Sequence, residues 1–287
     1  SGMRHATSGE PHSLQNFIAA PDHDNRKTEM DSTNHAFFAP CPRGLEAVLA
    51  DELTDLGAAD VKATAGGVAF HGPLALCYRV NLQSRIASRI LLRIAEGSYR
   101  DEHDVYDAAN AIRWQDWFTP QQRIKVKVSA HHCPLKSLDF VTLRVKDAVC
   151  DRFQFARGKR PTVDTHAPDI LIAVYLDAST CTFYVDTSGE PLFKRGWRKS
   201  AGEAPIRENL AAGILRLSKW TADTVLYDPM CGSGTFVIEA ALMARRVAPG
   251  IGRHFAFEKL LSFDAQRLND LRTELKAMEI PIKPGLI

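Results

Sequence analysis

The 287 residues predict an α+β chain that passes into α/β near its C terminus, on three observations. Between residues 36 and 95, apolar alternation and helical stripes succeed one another as β-α-β-β-α-β, the order of a small ferredoxin-like unit. Between 99 and 190 come a helix, a strand, a long helix and two closing strands, a second α+β unit. Then the apolar run Thr224-Val225-Leu226-Tyr227 leads into Asp228-Pro229-Met230-Cys231-Gly232-Ser233-Gly234-Thr235 and a helix to Ala244. Strand, glycine turn and helix together open a Rossmann-like nucleotide-binding unit. Four segments are expected: a disordered tail over 1–34, the ferredoxin-like unit over 35–98, the second unit over 99–190, and a linker with the start of the α/β unit over 191–287.

Composition narrows the class. Hydrophobic content of 45% and charged content of 24% are those of a soluble globular protein, and a net charge of +2 requires any nucleic-acid surface to be local. Cysteines stand apart at 41, 77, 133, 150, 181 and 231 without a Cys-x-x-Cys pair, which points to reduced thiols in a cytoplasmic protein. No apolar stretch approaches the ~20 residues of a membrane span. His131, His132 and Cys133 are adjacent in sequence and so diverge, and no metal is expected. Residues 1–34 are polar and broken by Pro11 and Pro21, and Ser1-Gly2 ahead of Met3 reads as a cloning remnant.

The elements follow in order. Ala36–Cys41 is a short strand, and Gly44–Leu56 a helix with Leu45, Val48, Leu49, Leu53 and Leu56 on one stripe. Val61–Phe70 reads as a hairpin turning at Gly66-Gly67, with a helix over Leu74–Leu82 and a strand over Ala87–Ala95. The acidic run Asp101–Asp104 opens a helix to Ile112, and Trp114, Trp117 and Phe118 read as core. Ile124–Val128 alternates with lysine as a half-buried strand does. Ser137–Phe155 is a long helix with Leu138, Val141, Val145, Ala148 and Val149 inward, and Ile170–Leu176 and Thr182–Asp186 close the unit.

Charge gathers in this second unit. From Gln121 to Arg160 ten Lys/Arg stand against three Asp, a local +7 in a chain of +2. Lys125, Lys127, Lys136, Arg144, Lys146, Lys159 and Arg160 are therefore candidates for a phosphate backbone, a solvated helix face being the alternative. Lys194-Arg195-Gly196-Trp197-Arg198-Lys199 places four cations around an indole, fit either to grip RNA or to strap two domains together. Ala204–Ala212 opens a helix with Pro205 in its first turn, with Leu210, Ile214 and Leu217 expected as its buried face. Glu208 and Asn209 are left free near its start, for helix-start electrostatics or for a ligand.

The glycine turn lacks the lysine of a phosphate-binding loop, and Val237 stands where a dinucleotide fingerprint has its third glycine. Its wording resembles motif I of S-adenosylmethionine (SAM) methyltransferases that modify exocyclic amino groups of bases. With Leu143–Val149, Arg160–Asp164, Asp177–Gly189, Lys194–Arg198 and Ala204–Ala212, residues 36–287 resemble the THUMP-domain methyltransferases of guanine N2 in large-subunit ribosomal RNA. The resemblance implies a class I methyltransferase fold after a THUMP domain, SAM as cofactor and ribosomal RNA as partner. It also implies that Pro205, Glu208 and Asn209 lie at the methionine end of SAM. The turn itself then supplies Asp228, Pro229, Cys231, Gly232, Ser233, Gly234 and Thr235. Members also carry a Pro-Pro motif that clamps the target amine, and this sequence has no Pro-Pro pair. The expectation is a chain that ends inside its catalytic domain and binds RNA without turnover, with no catalytic residue of its own and apolar surface bare around Val225, Leu226, Phe236 and Ile238. An RNA-binding module with a non-catalytic stub and a DNA adenine-N6 methylase are the alternatives.

Overall fold

The computed structural model describes residues 34–198 and 206–281; the tail expected up to residue 33, Lys199 and Pro205 lie outside the described residues. The first unit forms in the expected order: β1 (His35–Pro40), α1 (Glu46–Asp55), β2 (Ala59–Thr64), β3 (Gly67–Gly72), α2 (Leu74–Gln83) and β4 (Leu91–Ser98). The Glu46 carboxylate, on the first turn of α1, accepts the amides of Gly66 at 3.0 Å and Gly44 at 2.8 Å, which fastens the β2–β3 turn to the helix start. In the second unit α3 (Glu102–Ala111) begins where Asp101 accepts the amides of His103 and Asp104, both at 2.9 Å. β5 (Ile124–Ala130), α4 (Leu138–Arg157), β6 (Ile170–Leu176) and β7 (Thr180–Asp186) follow, with Ser137 capping α4 through the Phe140 amide.

The two units are not separate layers. All seven strands make one sheet in the order β2-β3-β1-β4-β7-β6-β5, and β4 is the seam, antiparallel to β1 on one side and to β7 on the other. β5 and β6 run parallel, and α4 is the crossover that a parallel pair requires. Ile124 and Val126 of β5 share a core with Val141, Val145 and Val149 of α4. Phe37 stacks on Phe70 at 5.2 Å in the first unit, and Trp114, Phe118, Phe153 and Phe183 are fully buried in the second. Burying a side chain of this kind stabilises by about 1.5–3 kcal/mol.

Beyond the sheet lie α5 (Glu208–Leu217), α6 (Thr235–Ala244) and α7 (Ala265–Ala277). Two expectations fail here. Thr224–Tyr227 is no strand, and Val225 and Tyr227 are 91% and 83% exposed. A buried parallel strand exists only when neighbours satisfy its amides and carbonyls, and among the described residues no strand lies beside this one. On α5 the buried side is Ala211, Ala212, Gly213 and Leu215, with Glu208 and Asn209, whereas Leu210 is half-buried, Ile214 half-exposed and Leu217 exposed. Small residues win that face because α5 crosses α1 closely: a Cβ on Gly213 would sit 2.3 Å from Leu45 Cδ1.

α6 is held to the first unit by buried charge. Glu239, fully buried on α6, receives Arg195 Nε at 3.3 Å and lies 3.6 Å from Arg85 Nη1. Arg195 also donates to the carbonyls of Leu192 and Arg85, both at 2.7 Å, and Arg85 donates to those of Leu242 and Val247 at the end of α6. Burial pushes the Arg85 guanidinium down to about 10, so it remains charged at neutral pH. Alongside, Glu52 of α1 accepts Ser84 Oγ at 2.7 Å and Arg216 of α5 at 3.2 Å. The chain after α6 folds back on α2: Tyr78 stacks on Phe257 at 4.4 Å, and the Gly250 amide donates to Leu82 at 2.9 Å.

Removing one partner of a buried ion pair strands the other charge, which costs about 3–5 kcal/mol. Glu239→Ala is expected to lower stability by that amount in urea unfolding, while Asp223→Ala on the surface leaves it within about 0.5 kcal/mol. In the β6–β7 turn the Asp177 carboxylate accepts the Ser179 amide and the Thr180 hydroxyl and amide, which hold its carboxyl below the usual range. Its contribution is present above pH ~4 and lost as the pH falls through the lowered value. The urea midpoint of Asp177→Asn should therefore fall less than wild type between about pH 5 and pH 2; parallel curves would exclude this carboxylate as a source of acid sensitivity.

Candidate functional site

The glycine turn has an open, left-handed geometry. Its backbone folds on itself through the Gly234 amide, which donates to Cys231 O at 2.7 Å, and α6 then starts with the Ile238 amide on Gly234 O at 2.9 Å. Gly232 and Gly234 take φ of +53° and +73°, left-handed values that suit glycine. A Cβ on Gly232 would meet nothing within 4 Å, so the turn presents open space beside its backbone. The first amides of α6 point out of the helix start with their partial positive charge. Asp228 Oδ1 accepts the Met230 amide at 3.1 Å, whereas Oδ2 is buried with no partner. An acceptor held out of water at the lip of a left-handed turn is a place for a donor. Pro229, Cys231, Gly232 and Ser233 are exposed, Gly234 is half-buried and Thr235 is buried.

Helix α5 packs along α6, and Glu208 at its start is linked to this turn through Arg198, whereas Asn209 faces the first unit. Neither is free, which corrects the expectation. Glu208 is 5% exposed and receives Arg198 Nε at 2.9 Å. Asn209 is fully buried, and its Nδ2 donates to Ile86 O at 3.2 Å and Ser88 Oγ at 3.1 Å, while its Oδ1 is left without a partner. Asn209 thus spends its amide on fastening α5 to the first unit.

The basic segment divides. Arg195 is 8% exposed and committed to Glu239, so it is a strap and not a phosphate ligand: burial leaves its guanidinium no path to solvent. Lys194 is exposed and pairs with Glu190 at 2.6 Å. Arg198 turns inward onto the glycine turn, donating to Ser233 Oγ at 3.2 Å and Thr235 Oγ1 at 2.8 Å.

The cations of the second unit do not form one patch. Lys125 and Lys127 alternate with Ile124 and Val126, so they leave β5 on the face opposite α4. Lys125 Nζ donates to Thr165 O at 2.8 Å, and Lys127 is exposed. On the α4 side, Arg144 lies 4.4 Å over the Tyr106 ring, Lys146 pairs with Asp147 at 2.7 Å, and Arg160 pairs with Asp151. Lys136 and Lys159, before and after that helix, are exposed. Arg85 and Glu239 have no counterpart in the sequence reading. Glu239 is the one charged residue in Thr235–Ala244, and an acid alone in an apolar helix is a signal of a buried partner. Arg85 has no such signature.

Three family profiles match, each to its own part of the chain. They are the RlmL ferredoxin-like domain over residues 36–91, the THUMP domain over 99–186, and the RMKL-like methyltransferase domain over 195–282. The ribosomal RNA large subunit methyltransferase K/L of Cellvibrio japonicus is 42% identical over 233 residues, 79% of this chain and 31% of its own length. A predicted N6-adenine-specific DNA methylase from Listeria monocytogenes superposes with a TM-score of 0.78 at 30% identity, over 88% of this chain and 66% of that one. SMU.472, solved in complex with S-adenosylhomocysteine (SAH), superposes with a TM-score of 0.77 at 31% identity, over 86% of this chain and 65% of that one. The chain thus spans about a third of the length of the K/L relatives. With its three profile matches in this order and its likeness to these proteins, the chain belongs to the family of THUMP-domain methyltransferases.

Proposed function

We propose that these residues are the RNA-recognising and SAM-binding part of a cytoplasmic methyltransferase that acts on a guanine 2-amino group of large-subunit ribosomal RNA. The observation that carries the cofactor reading is the unpartnered Oδ2 of Asp228 beside the open left-handed turn at Gly232. SAM suits that donor set: its ammonium and hydroxyls can give hydrogen bonds to a carboxylate, and its anionic end meets the amides at the start of α6. A relative named for ribosomal RNA methylation and a neighbour solved with SAH support the same choice. The THUMP match and the exposed Lys127, Lys136 and Lys159 support an RNA partner.

SAM supplies a methyl group on a sulfonium that leaves readily, so the protein's task is to bind and orient. Asp228 and the glycine turn hold the donor, and the first two units bring the RNA. With no Pro-Pro pair to clamp the target amine, these residues on their own are assigned binding without turnover. A second reading, a DNA adenine-N6 methylase, is favoured by the name of the Listeria neighbour and by a motif I common to enzymes that methylate exocyclic amines.

Calorimetric titration of the chain with SAM should give one-to-one micromolar binding that Asp228→Ala removes; no binding by wild type would leave an RNA-binding module beside a non-catalytic stub. Binding to structured RNA should exceed binding to duplex DNA at equal salt and weaken as salt rises. Preference for the duplex would select the DNA methylase.

A further inference from the structure

Arg198 stands out because three of the four groups it holds belong to the proposed cofactor site. Its Nε donates to Glu208 Oε1 at 2.9 Å, its Nη1 to Ser233 Oγ at 3.2 Å, and its Nη2 to Thr235 Oγ1 at 2.8 Å and Ile206 O at 3.2 Å. The side chain is 16% exposed and that of Glu208 6%, so the pair is shielded yet open on the side of the exposed Ser233. Trp197 flanks the guanidinium, 5.1 Å from its ring centre.

Among the described residues, the charges of the Arg198 pair and of the glycine-turn segment 228–235 are two carboxylates, Glu208 and Asp228, and one guanidinium, beside the positive start of α6. SAM carries the inverse set: an α-ammonium, a sulfonium and one α-carboxylate. We propose that Arg198 is the binding residue for the α-carboxylate of SAM, and that Glu208 takes the α-ammonium next to it. This rests on the reading that the ligand is SAM. On binding, the guanidinium exchanges two neutral hydroxyl acceptors, Ser233 and Thr235, for a carboxylate that accepts in a bidentate manner. The Arg198–Glu208 pair opens onto a zwitterion of matching polarity, so no buried charge is left alone. In the ligand-free chain the same arginine holds α5 and the glycine turn at the spacing the amino-acid end requires.

The test compares SAM with decarboxylated SAM, which lacks only the carboxylate, by calorimetry on the full chain, wild type against Arg198→Gln. Wild type should bind SAM about ten- to a hundredfold more tightly than the decarboxylated analogue. In Arg198→Gln that preference should collapse to within about threefold, because SAM alone loses affinity. Arg198→Lys, which keeps the charge but not the bidentate fork, should fall between, and it carries the comparison if the glutamine variant does not fold. Equal weakening of both ligands would make Arg198 a structural brace and overturn the assignment. Failure of wild type to bind SAM at all would instead overturn the cofactor reading on which it rests.

Discussion

A carboxylate buried on α6 and shared by two arginines holds the glycine turn where it is. Glu239 has no access to water, and Arg195 from the linker and Arg85 from the first unit converge on it. Each charge by itself would be untenable at that depth; together they offset one another, and four backbone carbonyls accept further N–H groups of the two arginines. Because Arg85 also closes the C-terminal end of α6, the helix that starts at Thr235 is oriented by a residue 150 positions earlier. The left-handed turn at Gly232 and Gly234 projects from a helix whose direction the first unit sets.

The seam strand extends that dependence to the THUMP part. β4 pairs with β1 and with β7, so the ferredoxin-like and THUMP parts share one sheet. Helix α5 rests on α1 through Gly213, and the segment after α6 rests on α2 through Phe257. The THUMP part is thereby tied, through the first unit, to the helix that carries the glycine turn. The linker residues between are a mechanical part of the link: Arg195 fastens α6 and Arg198 fastens the turn itself.

Much of this was legible from residues alone. The β-α-β-β-α-β order, the helix starts at Asp101 and Ser137, the lysine alternation in β5 and the buried Trp114 and Phe118 all follow from local pattern, and all stand in the structure within a few residues. Where reading failed, the deciding contacts were distant. Thr224–Tyr227 has the composition of a strand, but a strand needs a neighbour. Leu210, Ile214 and Leu217 have the right spacing for a buried stripe, yet α5 turns its small residues inward because α1 comes too close for leucine. Arg195 reads as a surface cation until Glu239, 44 residues on, is found beneath it.

The sequence by itself determined the family and the order of the elements, because each is written in contiguous residues whose spacing matches a local geometry. Tertiary structure alone decided which charges are spent inside and which remain for a partner. Ten Lys/Arg between Gln121 and Arg160 count as +7 on paper, but β5 and α4 send them to opposite faces and several meet carboxylates there. The reason is physical: charge acts through distance and burial, and neither is a property of position along the chain.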